Sequence, residues 1–148
     1  MVSIAFYDAS QGTYLDKLVA WWTRGLFSHC EIYFSKFDIC CSASPREGMV
    51  RFKKIDDLFT SGKWTILSTE ADEDWAYKFC KEHEGQKYDW LAIICCQFLP
   101  FGEQARNKWF CSELAARIKG YIHAAWYSPN RLYSAMMKEP ETKQVLSK

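Results

Sequence analysis

Cys111 heads the stretch "CSELAARIKG", in which Leu114, Ala115 and Ile118 share one apolar helical face and Gly120 supplies a stop. A thiol at a helix N-terminus is drawn toward thiolate, the form that attacks carbonyl carbon, provided a base is held beside it. Free cysteine is also among the most buried residue types, so position alone leaves Cys111 as nucleophile or as core thiol. The best-placed base is His29 in "SHCEIYF". Strand side chains alternate, so Cys30, Ile32 and Phe34 point to one face while His29, Glu31 and Tyr33 point to the other. That second face is either solvated or functional. If functional, a carboxylate two residues from an imidazole favours the imidazolium that pairs with thiolate. His83 in "CKEHEG" and His123 in "GYIHAAWYS" compete less well, one at a charged helix end and the other in a loop or short helix.

Other chemistries find less support. The seven cysteines show no CxxC spacing, and the adjacent pairs Cys40-Cys41 and Cys95-Cys96 point their side chains apart, so no metal site is expected. There is no phosphate-cradling glycine loop and no GxSxG elbow, and no cofactor is expected. Lys plus Arg number 19 against 18 Asp plus Glu, which leaves no global field to draw nucleic acid or an anionic membrane. Aromatic residues make up 17% of the chain but sit among aliphatics at core spacing, without the basic interleaving of a base-stacking surface. An odd number of cysteines and a start lacking signal-peptide order predict a reducing, cytoplasmic setting. The longest apolar run, "WLAIICCQFLPF", is about 12 residues where a membrane span needs about 20, and it reads as a buried helix.

The elements that must position Cys111 and His29 follow from periodicity. "MVSIAFYDAS" reads as a strand, and "TYLDKLVAWWTRG" places Leu15, Leu18, Val19 and Trp22 at helical spacing ahead of Gly25 as cap. "SHCEIYF", "FDICCSAS", "MVRFKKI" and "KWTILST" then give successive strands with turn residues between them. From Glu70 the pattern turns helical: "DEDWAYKFCKEHEG" ends at Gly85, "YDWLAIICCQFLPFG" is capped by Asp89 and stopped by Pro100, and the Cys111 helix follows. Ser128 and Pro129 open a last helix, and the polar residues from 141 on are expected to fray. The result is one α+β domain over residues 1–140, with an antiparallel sheet of about four to six strands against several helices and a tail at 141–148.

"SHCEIYF", "SASPREGMVRFKKID", "GQKYDW" and "WFCSEL", in that order, resemble the circularly permuted NlpC-type branch of the papain-like cysteine hydrolases. That branch includes YiiX-like proteins, lecithin:retinol acyltransferase with its phospholipase relatives, and small tailed-phage proteins. The resemblance spans roughly Ser3 to Pro129 and implies a papain-like permuted fold, in which the histidine strand precedes the cysteine helix. It implies Cys111 as nucleophile and His29 as general base that later protonates the leaving group. Many relatives place a Glu or His on the next strand as third residue. Here "ICCSAS" offers only serines, which leaves Glu31 as the orienting residue and Ser42 as the alternative. Glu31 must reach along its strand, act through water or instead contact substrate, because residues two apart lie about 7 Å apart by Cα. The backbone N–H of Cys111 and the Tyr7 side chain are candidate oxyanion donors. The implied activity is thiol hydrolysis of an amide or ester, with a peptidase or amidase favoured and peptidoglycan peptides one substrate class. A lipid acyl hydrolase or acyltransferase with "VAWWTRGLF" as an apolar lip, and an inactive binding module of the same fold, are the alternatives. The expected partner is a peptide or acyl substrate, with no nucleic acid and no stable membrane insertion; for a phage-encoded member the setting is the host cytoplasm.

Overall fold

The alternation in "FSHCEIYF" builds the central strand β2 (Phe27–Phe34): Cys30, Ile32 and Phe34 are buried against helices, and His29 and Glu31 lie on the opposite face. Its neighbours β1 (Val2–Asp8), β3 (Ile39–Ser44), β4 (Met49–Lys54) and β5 (Trp64–Thr69) follow the expected order and pair antiparallel. The computed structural model describes residues 1–59, 63–95 and 107–147. Among them the sheet has eight strands, in the order β7-β6-β4-β3-β2-β1-β5-β8. The architecture is α+β, as expected, but the sheet is wider than four to six strands.

Three short strands account for the difference. β6 (Lys87–Tyr88) and β7 (Lys108–Trp109) have two residues each, too few to display a period of two, and among the described residues they form the one parallel pair. β8 (Gln144–Ser147) comes from the polar tail expected to fray, which instead pairs along β5 as an edge strand. Backbone pairing at an edge needs no apolar pattern, so hydropathy does not reveal it.

Helices α3 (Glu73–His83), α5 (Cys111–Lys119) and α6 (Pro129–Met136) join the core on the Cys30 side of the sheet. Ala76 and Cys80, Leu114 and Ile118, and Leu132 and Met136 pack there with Ile4, Phe6 and Ile32. Burying a side chain the size of Leu114 or Ile118 contributes roughly 1.5–3 kcal/mol. On the other face, α2 (Ile55–Phe59) brings Phe59 against a smaller cluster of Ala5, Cys40, Trp64 and Ile66. Asp89 caps α4 (Trp90–Cys95) as expected, accepting from Ala92 N–H at 2.9 Å. Among the described residues α4 is not the buried helix expected: Leu91 and Ile94 are exposed and Ile93 carries the packing. The expected stop at Pro100 lies outside the described residues. No described helix is long and apolar enough to cross a membrane.

Helix α1 (Tyr14–Trp22) begins with a capping box, Thr13 and Asp16 each bonding the other's backbone. Its end differs from expectation, since Arg24, not Gly25, takes the left-handed conformation. Gly25 is needed for close approach instead. A Cβ there would lie 2.2 Å from Asn130 Cγ and Oδ1. Asn130 ties three segments together: Oδ1 accepts from Phe27 N–H at 2.9 Å, and Nδ2 donates to Thr23 Oγ1 at 2.6 Å and Phe27 O at 2.8 Å. Gly25→Ala should therefore cost about 1–3 kcal/mol in urea unfolding by forcing this staple apart. An unchanged midpoint would mean that Asn130 swings aside freely.

Candidate active site

Cys111 is placed by what precedes it. Tyr88 N–H bonds Gly48 O, Asp89 N–H bonds Trp109 O at 2.8 Å, and Trp109 Nε1 donates to Gln86 Oε1 at 2.7 Å, fixing β7 beside β6. One extended residue, Phe110, then leads into α5. Phe110 offers no side-chain cap, so the first-turn N–H groups are not engaged by one. Nearly the whole helix is buried, and Gly120 ends it in the left-handed conformation, as expected.

His29 meets Cys111 from β2. The ladder between β2 and β3 runs only from Ile32↔Cys41 to Phe34↔Ile39, while α5 packs against β2 and β3. The imidazole Nε2 bonds Glu31 Oε1 at 2.8 Å, so the two side chains lean together along the strand and close the expected gap directly. Nδ1 is buried and has no hydrogen-bond partner, and Cys111 is the titratable neighbour on that side of the ring. Ser42, the alternative third residue, is committed elsewhere: its hydroxyl donates to Cys30 O at 2.8 Å and reaches Ala43 O at 3.3 Å.

Arg51, which the sequence reading did not single out, completes the cluster. It lies on β4 with Val50 buried beside it, and its guanidinium grips Glu31 with Nη1 to Oε2 at 2.7 Å and Nη2 to Oε1 at 2.5 Å. Its Nε bonds Glu47 Oε2 at 2.5 Å, and Lys53 bonds Glu47 Oε1 at 2.7 Å. Glu31 is 1% exposed, so its charge survives only because it is paired.

The electrostatics are polarised toward an ion pair. Burial disfavours charge on His29, yet the adjacent Cys111 sulfur and then Glu31 push its pKa up to about 9. Burial likewise opposes the Cys111 thiolate, but hydrogen bonding from Cys30 and the charge and hydrogen bond of His29 pull the thiol well below its ordinary value. Burial drives the thiols of Cys30, Cys40 and Cys41 the opposite way, upward. Burial also raises Glu31, and His29 and Arg51 together overcome it and hold the carboxyl below its usual range.

A cleft of about 170 Å³ opens on the His29 side of the sheet. Its lining includes His29, Glu31 and Arg51, the aromatic side chains of Tyr7, Trp64, Tyr88 and Trp90, and the charged Asp16, Arg46, Lys53 and Asp57. Arg46 and Asp16 form an ion pair at 3.0 Å. Tyr7 stands opposite His29 in the β1–β2 register and packs on Trp64, with ring centroids 5.0 Å apart. Cys111 itself is 1% exposed. His83 accepts no such role: its Nδ1 bonds Phe79 O at 2.7 Å and its ring packs on Trp109, while His123 is exposed and stacks on Trp126.

No family model and no curated protein matches this chain. A search of solved structures finds the crystal structure of the metalloprotein YiiX from Escherichia coli O157:H7, at TM-score 0.66 and 12% identity, covering 99% of this chain and 96% of that one. Among the described residues no group of three or more His, Cys, Asp or Glu side chains is arranged to hold a metal ion. The chain has a YiiX-like fold.

Proposed function

We propose that this protein is a cysteine hydrolase of the permuted papain-like type, which transfers an acyl group from an amide or ester to Cys111 and then to water. The observation that supports it is the arrangement of Cys111, His29 and Glu31 as a buried thiolate–imidazolium–carboxylate series. In this reading the Cys111 thiolate attacks the carbonyl carbon, and the imidazolium of His29 gives its proton to the leaving group as the thioester forms. Neutral His29 then takes a proton from water, hydroxide adds to the thioester, and thiolate leaves. Glu31 acts through His29, accepting from Nε2–H and so directing Nδ1 toward sulfur. The Cys111 N–H at the uncapped start of α5 is the backbone donor for the developing oxyanion. Tyr7, across from His29, is the side-chain donor. A peptide or related amide is the favoured substrate, because the cleft combines aromatic surface with both signs of charge.

A second reading, hydrolysis of a lipid ester, draws on one feature. Leu15 and Leu18 of α1 and Trp90, Leu91 and Ile94 of α4 are exposed, with Leu15 and Trp90 lining the cleft. Profiling with peptide and fatty-acyl electrophilic probes, wild type against Cys111→Ala, separates the two.

The alkylation profile tests the chemistry itself. With iodoacetamide, Cys111 should react first, with a midpoint well below the ordinary thiol value of about 8.5. A second inflection should appear near 9, where His29 loses its proton. A single midpoint at the ordinary value, or equal labelling of the other cysteines by peptide mapping, overturns the proposal.

A further inference from the structure

We propose that Arg51 is a positioning residue for the Cys111–His29 pair, acting through the Glu31 carboxylate that its guanidinium grips with two nitrogens. The inference rests on the cysteine-hydrolase reading and adds to it a residue from β4, a strand not adjacent to the histidine strand.

A carboxylate as deeply buried as Glu31 takes up a proton unless cations and donors hold its charge. His29 alone cannot fill that role in every step, because its proton leaves with the departing group. Arg51 supplies a charge that is never given up. Its fork also removes the torsional freedom of the carboxylate. Oε1 is shared between Arg51 Nη2 at 2.5 Å and His29 Nε2 at 2.8 Å, while Oε2 is held by Nη1 at 2.7 Å. The plane of the carboxylate is thereby fixed, and with it the imidazole whose other nitrogen serves the thiol.

Arg51 is in turn held in place. Glu47 takes its Nε, and Lys53 anchors Glu47. From Lys53 through Glu47, Arg51, Glu31 and His29 to Cys111, six groups alternate in sign from the exposed end of β4 into the core. Here two guanidinium nitrogens meet both carboxylate oxygens, and one of those oxygens is the His29 partner. A lysine at this position supplies charge without the fork.

The test is a double-mutant cycle read on the iodoacetamide profile of Cys111, with folding checked by circular dichroism. Arg51→Met should move the midpoint up by about one pH unit, which slows alkylation about tenfold at a pH below both midpoints. Arg51→Lys should fall between Met and wild type. In a Glu31→Gln background, Arg51→Met should add no further shift, because the residue through which it acts no longer carries the charge. A folded Arg51→Met with the wild-type midpoint overturns the inference, as does an equal shift in the Glu31→Gln background. If Arg51→Met alone does not fold, Arg51→Lys and the Glu31→Gln pair decide: a wild-type midpoint in Arg51→Lys, or a further shift on adding Arg51→Met to Glu31→Gln, overturns it. An ordinary midpoint in the wild type sinks the hydrolase reading instead, so the two failures are distinguishable.

Discussion

Cys111→Ser is expected to lower acyl-enzyme formation by on the order of 10⁴-fold or more, the largest change any single substitution in this chain should produce. On the proposed reading, the sulfur is the group whose charge the site holds. Serine at the same position keeps the shape, but its hydroxyl remains protonated beside His29. His29→Gln should cost about 10²–10⁴-fold, because it removes both the partner charge and the proton donor. Both are measured as the burst of nitrophenol from a p-nitrophenyl ester, with turnover followed on the best amide that probe profiling returns. The losses should not add in Cys111→Ser/His29→Gln, since the two residues act as a unit. Near-wild-type bursts from either single variant would remove that residue from the chemistry.

Glu31→Ala should carry the largest stability cost, about 3–5 kcal/mol, because it leaves the guanidinium of Arg51, 13% exposed, with one carboxylate partner in place of two. Glu31→Gln, which keeps shape and acceptor oxygen, should cost markedly less. Urea unfolding near neutral pH measures both, and equal small losses would show that Arg51 finds water easily. The pH dependence has a definite sign. Glu31 is held below the ordinary carboxylate value of 4.5, so its contribution is present above that value and is lost as pH falls through the folded value. Glu31→Gln should accordingly flatten the acid limb of the stability curve. His29 is raised from 6.5 to about 9, so its contribution is full below 6.5 and is lost as pH rises through about 9. Cys111, lowered, contributes in the opposite sense. Between about 6.5 and 9 the folded imidazolium–thiolate and the unfolded imidazole–thiol hold the same single proton, so the pair adds no slope there.

The strands that carry the site were legible because they alternate. Cys30, Ile32 and Phe34 point into the core as the pattern in "SHCEIYF" says, and this alone sends His29 and Glu31 to the other face. The helix behind Cys111 was legible for a similar reason, with Leu114, Ala115 and Ile118 buried and Gly120 ending it. Arg51 was not. In "MVRFKKI" it alternates with Val50 and Phe52 like any solvated cation, and its carboxylate partner sits on β2, with β3 lying between the two strands. Pairings across an intervening strand have no sequence spacing to betray them. The contact between His29 and Glu31 was foreseen as a strain on reach, and the structure resolves it by leaning both side chains together rather than by a third strand. The outer surface of α1 shows the limit of periodicity in the other direction: Leu15 and Leu18 keep helical spacing yet stand exposed, while Ala20 is the buried residue. Spacing says that a helix forms, but not how much of its stripe finds a neighbour.

The order of the strands also sets when the reactive group comes into being. His29, Glu31 and Arg51 all lie within the first 51 residues, while Cys111 follows the short edge strand β7 and starts the helix that packs against β2 and β3. During synthesis the base, its carboxylate and the arginine therefore leave the ribosome first and can settle into β2 and β4 with nothing to activate. The thiol arrives later, and it stays an ordinary protonated cysteine until α5 docks against β2. A chain cut short ahead of Lys108 still carries six cysteines but lacks Cys111, the one placed beside His29. A chain that misfolds at its first strands carries a cysteine with no imidazole to ionise it. On the proposed reading, reactivity is thus a property of the finished fold, and the growing chain passes through its long unfinished stage without an activated Cys111 to attack its neighbours.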